Sequence, residues 1–131
     1  LDVLSQNMFL AAPTVAQYGA LKAFSPATTD ILESRRKIFK QRRDFLYAEL
    51  QSLGFTMHDV PQGAFYLYVG CENFSQDSMA FCNSLLSEAN VATAPGADFA
   101  IQAASTHLRF AYTTSIEEMQ LGIDQIRRFV S

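Results

Sequence analysis

Apolar and polar residues alternate along this chain with two periods, and the switch between them marks its elements. From Thr28 to Leu53 the pairs Ile31/Leu32, Ile38/Phe39 and Phe45/Leu46, then Leu50/Leu53, recur every seven residues, laying one apolar stripe along a long helix. Gly54 stops it, as a glycine past the last turn does. A shorter helix is predicted from Thr14 to Phe24, with Val15, Tyr18, Leu21 and Lys22 near helical spacing, Pro13 suited to its first turn and Ser25-Pro26 at its end. Ser75 or Asp77 caps a helix reaching Glu88, whose buried face is expected to be Met79, Phe81, Cys82, Leu85 and Leu86. Ser115 with Glu118 forms a capping box, and Ile116, Met119, Ile123, Ile126, Phe129 and Val130 make the last helix amphipathic.

The other period is two. Leu108, Phe110 and Tyr112 alternate with Arg109, Ala111 and Thr113, so a strand over Leu108–Thr113 turns its arginine away from its apolar face. Ala64 to Val69, "AFYLYV", is β-branched and aromatic and reads as a second strand after a turn at Pro61-Gln62-Gly63. Phe55–Met57 and Val91–Thr93 are candidate short strands, Pro95-Gly96 a turn, and Gly96–Ser105 a loop with room for one helical turn. The fold class is α+β: a small mixed or antiparallel sheet covered by helices, in one domain over residues 1–131.

Composition narrows the function more than the fold. With 131 residues, 49% hydrophobic and 18% charged, the chain has the make-up of an ordinary globular domain. Arg35, Arg36, Lys37, Lys40, Arg42 and Arg43, six of its ten basic residues, lie between the apolar pairs of the long helix. On a chain of net charge −3 without zinc or interleaved aromatic motifs, that run reads as a solvated helix face and not as a nucleic-acid site. Cys71 and Cys82 form no C-x-x-C pair, and neither His58 nor His107 has a second ligand at metal spacing, so reduced thiols and no metal are expected. No apolar run approaches the roughly 20 residues of a membrane helix and no basic-then-apolar leader is seen, which suggests a cytoplasmic protein.

Recognisable catalytic motifs are missing: no Ser/His/Asp arrangement, no G-x-x-x-x-G-K loop, no spaced carboxylate pair. Three features exceed what core building requires: Gly63 in "PQGAFY", Pro95-Gly96 in "VATAPG" and Arg109 in "LRFAYT". Each has a plain structural account. Gly63 supplies a backbone angle with φ > 0, Pro95-Gly96 makes a turn, and Arg109 pairs with an acidic side chain on the exposed strand face.

Taken in order, "VPQGAFYLYV", "LLSEANVATAPGADFA" and "LRFAYTTSIEEMQLGIDQIRRF" resemble the C-terminal small domain of the class I and II, fold-type I aminotransferases that use pyridoxal 5′-phosphate. "QNMFLAAPTVAQYGALKAF" resembles the stretch joining large to small domain in the aspartate aminotransferase-like branch, which makes residues 1–27 an interdomain connection and short helix. The resemblance implies that Arg109 binds the substrate α-carboxylate and that Gly63, Ala64 and Phe65 line the substrate side of the cleft. A guanidinium suits that task, since its planar fork of donors matches a carboxylate in two parallel hydrogen bonds.

In that family the cofactor is held by a lysine in a serine-rich segment, an arginine at the phosphate and an aspartate at the ring nitrogen. The lysines here are Lys22, Lys37 and Lys40, all on predicted helices, so no catalytic or cofactor-binding residue is assigned to this chain. It begins at Leu1 in mid-helix register and is expected to be a piece of an enzyme, inactive and without bound cofactor until joined to an N-terminal large domain. The resemblance implies a homodimeric parent that moves an amino group from an amino acid to a 2-oxo acid in ping-pong fashion. Two neighbouring readings stay open: a non-catalytic ligand-binding or regulatory module with this fold, and a pyridoxal-phosphate-dependent C–S lyase.

Overall fold

The computed structural model describes residues 1–9, 11–99 and 104–131. They fall into two compact units, Leu1–Lys37 and Ile38–Ser131, and one long helix belongs to both. No helix among the described residues is long and apolar enough to cross a membrane.

In the first unit Asp2–Leu4 forms one turn of helix, α1, that widens to π-type spacing over Ser5–Phe9; Thr14–Ala23 follows as α2. Pro13 stands one position earlier than expected, at the N-cap with extended ψ of 139°. The long helix α3, Pro26–Leu53, starts two residues before the expected Thr28. Ser25 explains the shift: its Oγ accepts the Thr28 N–H at 3.4 Å, and Pro26 takes the first helical position, where a missing N–H leaves no bond unmade. None of the described side chains of this unit is buried, and Val15, Tyr18, Leu21, Phe24, Ile31 and Leu32 stand exposed. The seven-residue stripe of α3 is therefore inward only in its later turns, where Leu46 and Leu50 are buried.

The second unit is built on a three-stranded antiparallel sheet in the order β1-β3-β2, with β1 Tyr66–Gly70, β2 Ala94–Pro95 and β3 His107–Ala111. β1 and β3 pair Leu67 with Phe110, Tyr68 with Arg109 and Val69 with Leu108. Leu67, Val69, Leu108 and Phe110 thus share one face and are buried, forming one core with Leu50 of α3, Leu85 of α4 (Ser78–Ala89) and Ile123 of α5 (Ile116–Val130). Tyr66, Tyr68, Arg109 and Ala111 share the opposite face. The caps fall on residues read from sequence, though of the Ser115–Glu118 box only the Ser115 half is seen. Asp77 accepts from the N–H groups of Met79 and Ala80, Ser115 accepts from Glu118, and Gly54 ends α3 with φ of 103°.

Several local expectations fail for identifiable reasons. Of Phe55–Met57 only Thr56 pairs, in a single bridge to Gly70. β1 begins at Tyr66 and not at Ala64, because Ala64 is left-handed at φ 65°. The strand expected at Val91–Thr93 is displaced to Ala94–Pro95; Pro95 is tolerated in a ladder because β2 is an edge strand. Within the loop expected over Gly96–Ser105, Gly96–Asp98 gives the helical turn it had room for, of 3₁₀ type, and residues 100–103 lie outside the described residues. In α4 the inward stripe is Ser78, Phe81, Cys82, Leu85 and Ala89, while Met79 and Leu86, one position off that line, are exposed.

Candidate functional site

β3 delivers Arg109 to the sheet face away from the core, half-buried. Two rings lie against its guanidinium: Phe99, with its centroid 4.5 Å from Cζ, and Tyr66, at 5.5 Å. Tyr66 arrives there by register. Tyr68 is the direct partner of Arg109 on β1, and Tyr66 sits diagonally two residues along the same face. Among the described residues the ion pairs are Arg36–Glu33, Arg43–Asp44, Arg127–Glu49 and Arg127–Asp124. The acidic partner allowed for Arg109 by its plain structural account is therefore not among them. The aromatic rings cover guanidinium surface but offer no acceptor to its N–H groups, an arrangement that leaves the donor fork available to a carboxylate.

The segment before β1 stands close to this group through a chain of contacts. Phe65, half exposed, meets Tyr66 edge-on with centroids 5.6 Å apart, and Tyr66 in turn touches Arg109. Gly63 does not have the positive φ expected of it. The left-handed residue is Ala64, and a side chain at position 63 would meet nothing within 4 Å. Both carbonyls, of Gly63 and Ala64, accept from the Tyr112 hydroxyl at 3.2 and 3.1 Å, and the Phe65 carbonyl accepts from the Tyr112 N–H at 2.8 Å. Arg43 of α3 donates to the Pro61 carbonyl at 2.8 Å and Arg42 to that of Thr113 at 2.9 Å, so part of the basic run is a bracket for these loops and not only a solvated face.

The structure thus links Arg109 and Phe65 through Tyr66 and ties Gly63 to the continuation of β3. Sequence reasoning missed Tyr66, Phe99 and Tyr112 as members of this assembly. Alternation in "AFYLYV" puts Tyr66 on the face opposite Leu67, a signal that becomes usable only once the register with β3 is known; Phe99 sits in a loop without periodicity. Pro95 and Gly96, singled out with Arg109, form the edge strand and the turn that lead to Phe99.

Other chemical groups are accounted for by packing. The Thr56 hydroxyl donates to Glu72 at 2.6 Å and holds that carboxyl below its ordinary range, over a Gly70 whose missing Cβ leaves the room for it. Burial pushes the Cys71 thiol up to about 11 and raises that of Cys82; both are free and buried. No group of three or more metal-ligating side chains occurs among the described residues. Lys22, Lys37 and Lys40 are all exposed, on α2 and α3. Cofactor anchoring by a buried lysine does not fit these residues, whereas carboxylate binding fits Arg109.

Comparison with known proteins gives this arrangement a context. Residues 1–126 match the family model described as aminotransferase class I and II. The chain is 34% identical over 128 residues to a (5-formylfuran-3-yl)methyl phosphate transaminase of Methanocaldococcus jannaschii, covering 98% of this chain and 33% of that protein. It is 36% identical over 123 residues to an aspartate aminotransferase of Bacillus sp. (strain YM-2), covering 89% and 30%. Its fold matches a crystal structure of an aminotransferase from Mycobacterium tuberculosis with a TM-score of 0.90 at 28% identity, over 98% of this chain and 33% of that one. The chain therefore spans about a third of the length of the relatives it matches. Matching sequence and shared fold make this chain a member of the class I and II aminotransferase family.

Proposed function

We propose that this chain is the C-terminal small domain of a pyridoxal 5′-phosphate-dependent, fold-type I aminotransferase of the aspartate aminotransferase-like branch, and that Arg109 binds the α-carboxylate of the amino-acid and 2-oxo-acid substrates. The observation that carries this reading is the half-buried Arg109, its guanidinium against the rings of Phe99 and Tyr66, with no protein carboxylate paired to it among the described residues. A two-point grip by the guanidinium fixes both the position and the orientation of an amino acid, which removes rotational freedom before any bond changes. Phe65 adds an apolar wall beside that grip, and Gly63, without a side chain, leaves the mouth of the segment open.

Pyridoxal 5′-phosphate, when bound, supplies the electron sink that makes the substrate Cα–H bond labile. Its lysine, phosphate and ring-nitrogen partners are assigned to the remaining two thirds of the enzyme, so this chain by itself is inactive. The complete enzyme is a homodimer in this reading.

The experiment compares, in the complete enzyme, an amino acid with the primary amine that lacks only its carboxylate. The parent enzyme is expected to use the amino acid far better, and Arg109→Met to lose most of that preference through a higher KM for the amino acid, with little change for the amine. A preference unaltered by Arg109→Met overturns the assignment.

A further inference from the structure

We propose that Tyr112 is a positioning residue for the substrate side of the cleft: its buried hydroxyl holds the Gly63–Phe65 segment in place against the strand that carries Arg109. The inference rests on reading Arg109 as the carboxylate clamp.

Tyr112 follows β3 by one residue and Arg109 by three, and it is 2% exposed. Its ring packs edge-on against Phe39 of α3 at 6.1 Å between centroids. A hydrophobic residue would satisfy that packing, yet the side chain ends in a hydroxyl whose single hydrogen is shared between two successive carbonyls, those of Gly63 and Ala64. The main-chain N–H of the same residue takes the next carbonyl, that of Phe65. One residue therefore engages three consecutive carbonyls of the segment.

The segment needs such a holder. Ala64 is left-handed at φ 65°, a conformation disfavoured for any residue with a Cβ, and alanine lacks the polar side chain by which asparagine or aspartate stabilises itself there. Strained conformations persist when their surroundings over-determine them. Here the Tyr112 hydroxyl and N–H do so from the β3 side, and Arg43, on the Pro61 carbonyl, does so from α3. Burial raises the Tyr112 pKa further above neutrality, so the hydroxyl stays a donor. Ala64 in turn sets the direction in which Phe65 leaves toward Tyr66 and Arg109.

Tyr112→Phe in the complete enzyme keeps the ring and deletes the donor. The expected result is a KM for the amino acid raised about tenfold, with kcat within about threefold of the parent. Adding Ala64→Gly to that variant should bring KM back to within about threefold, because glycine adopts the left-handed conformation without strain. A merely structural tyrosine would lower the melting temperature without this KM-against-kcat split and without rescue at position 64. KM within twofold of the parent in Tyr112→Phe, or a double variant that rescues nothing, overturns the proposal. Should Tyr112→Phe fail to fold, the double variant decides alone: folded with parental KM supports the role, and unfolded or with raised KM overturns it. Arg109→Met is measured beside them. If it leaves KM unchanged, the clamp reading falls and this inference with it; if it raises KM while Tyr112→Phe does not, only the role of Tyr112 falls.

Discussion

Arg109→Lys separates the two roles an arginine on an exposed strand face can play. The substitution keeps the positive charge and an aliphatic stem but replaces a planar fork with a single ammonium. If the substrate carboxylate takes two charge-assisted hydrogen bonds from the fork, lysine forfeits about one of them, roughly 1.5–3 kcal/mol. It also loses the contact of the guanidinium with the rings of Phe99 and Tyr66. Because Phe99 is half exposed, that contact contributes about 0.5–1 kcal/mol. The lost hydrogen bond predicts a loss of about 1.5–3 kcal/mol in transition-state binding, or about one to two powers of ten in kcat/KM for the amino donor, whereas the ring contact, made with or without substrate, counts only toward folding stability. The assay is steady-state transamination by the complete enzyme at varied amino-acid concentration, with cofactor absorbance as a control that should not change. Since no ion pair of Arg109 appears among the described residues, the melting temperature should stay within about 2 °C of the parent. Parental kinetics in a folded Arg109→Lys enzyme would falsify the clamp; a fall of many degrees with parental kinetics would make Arg109 a structural residue.

Three further outcomes test the surrounding architecture. Asp77→Ala removes the acceptor of two N–H groups at the start of α4, each at 3.0 Å, and should lower stability by about 1 kcal/mol in urea unfolding; no change would mean that another group caps the helix. Gly70→Ala places a methyl group against the Thr56 hydroxyl and the Glu72 carboxyl that bond each other across it, so it should destabilise by about 1–2 kcal/mol, and a Thr56→Ala background should absorb part of that loss. The Cys71 thiol, raised by burial from an ordinary value near 9 to about 11, favours the folded state while neutral. The cost of burying its thiolate, on the order of a few kcal/mol, leaves stability unchanged below pH 9 and lowers it as pH rises from 9 toward 11; Cys71→Ala should show a shallower decline of urea midpoint over that window, and an equal decline would remove Cys71 from the account.

The sequence alone determined the elements whose signals are local. A period of two in "HLRFAY" fixed which side chains of β3 turn inward and sent Arg109 to the other face, and Leu108 and Phe110 are indeed buried while Arg109 is not. Caps worked the same way: Asp77, Ser115 and Gly54 act within one turn of their own positions, so residue type and spacing suffice to find them. The ordered segments also carried the family resemblance without any knowledge of their contacts.

Tertiary structure decided everything that joins residues distant in the chain. The register that sets Tyr68 opposite Arg109 pairs strands some forty positions apart, and no local period encodes it. That register brings Tyr66 to the guanidinium, while the path after the β2 edge brings Phe99. The positive φ likewise falls on Ala64 and not on Gly63: local propensity favours glycine, and the Tyr112 contacts to the carbonyls of Gly63, Ala64 and Phe65 come from a segment that no local pattern connects to this turn. Period and capping are written in adjacent residues; the ring contacts of Arg109 and the carbonyl contacts of Tyr112 exist only where separate segments meet.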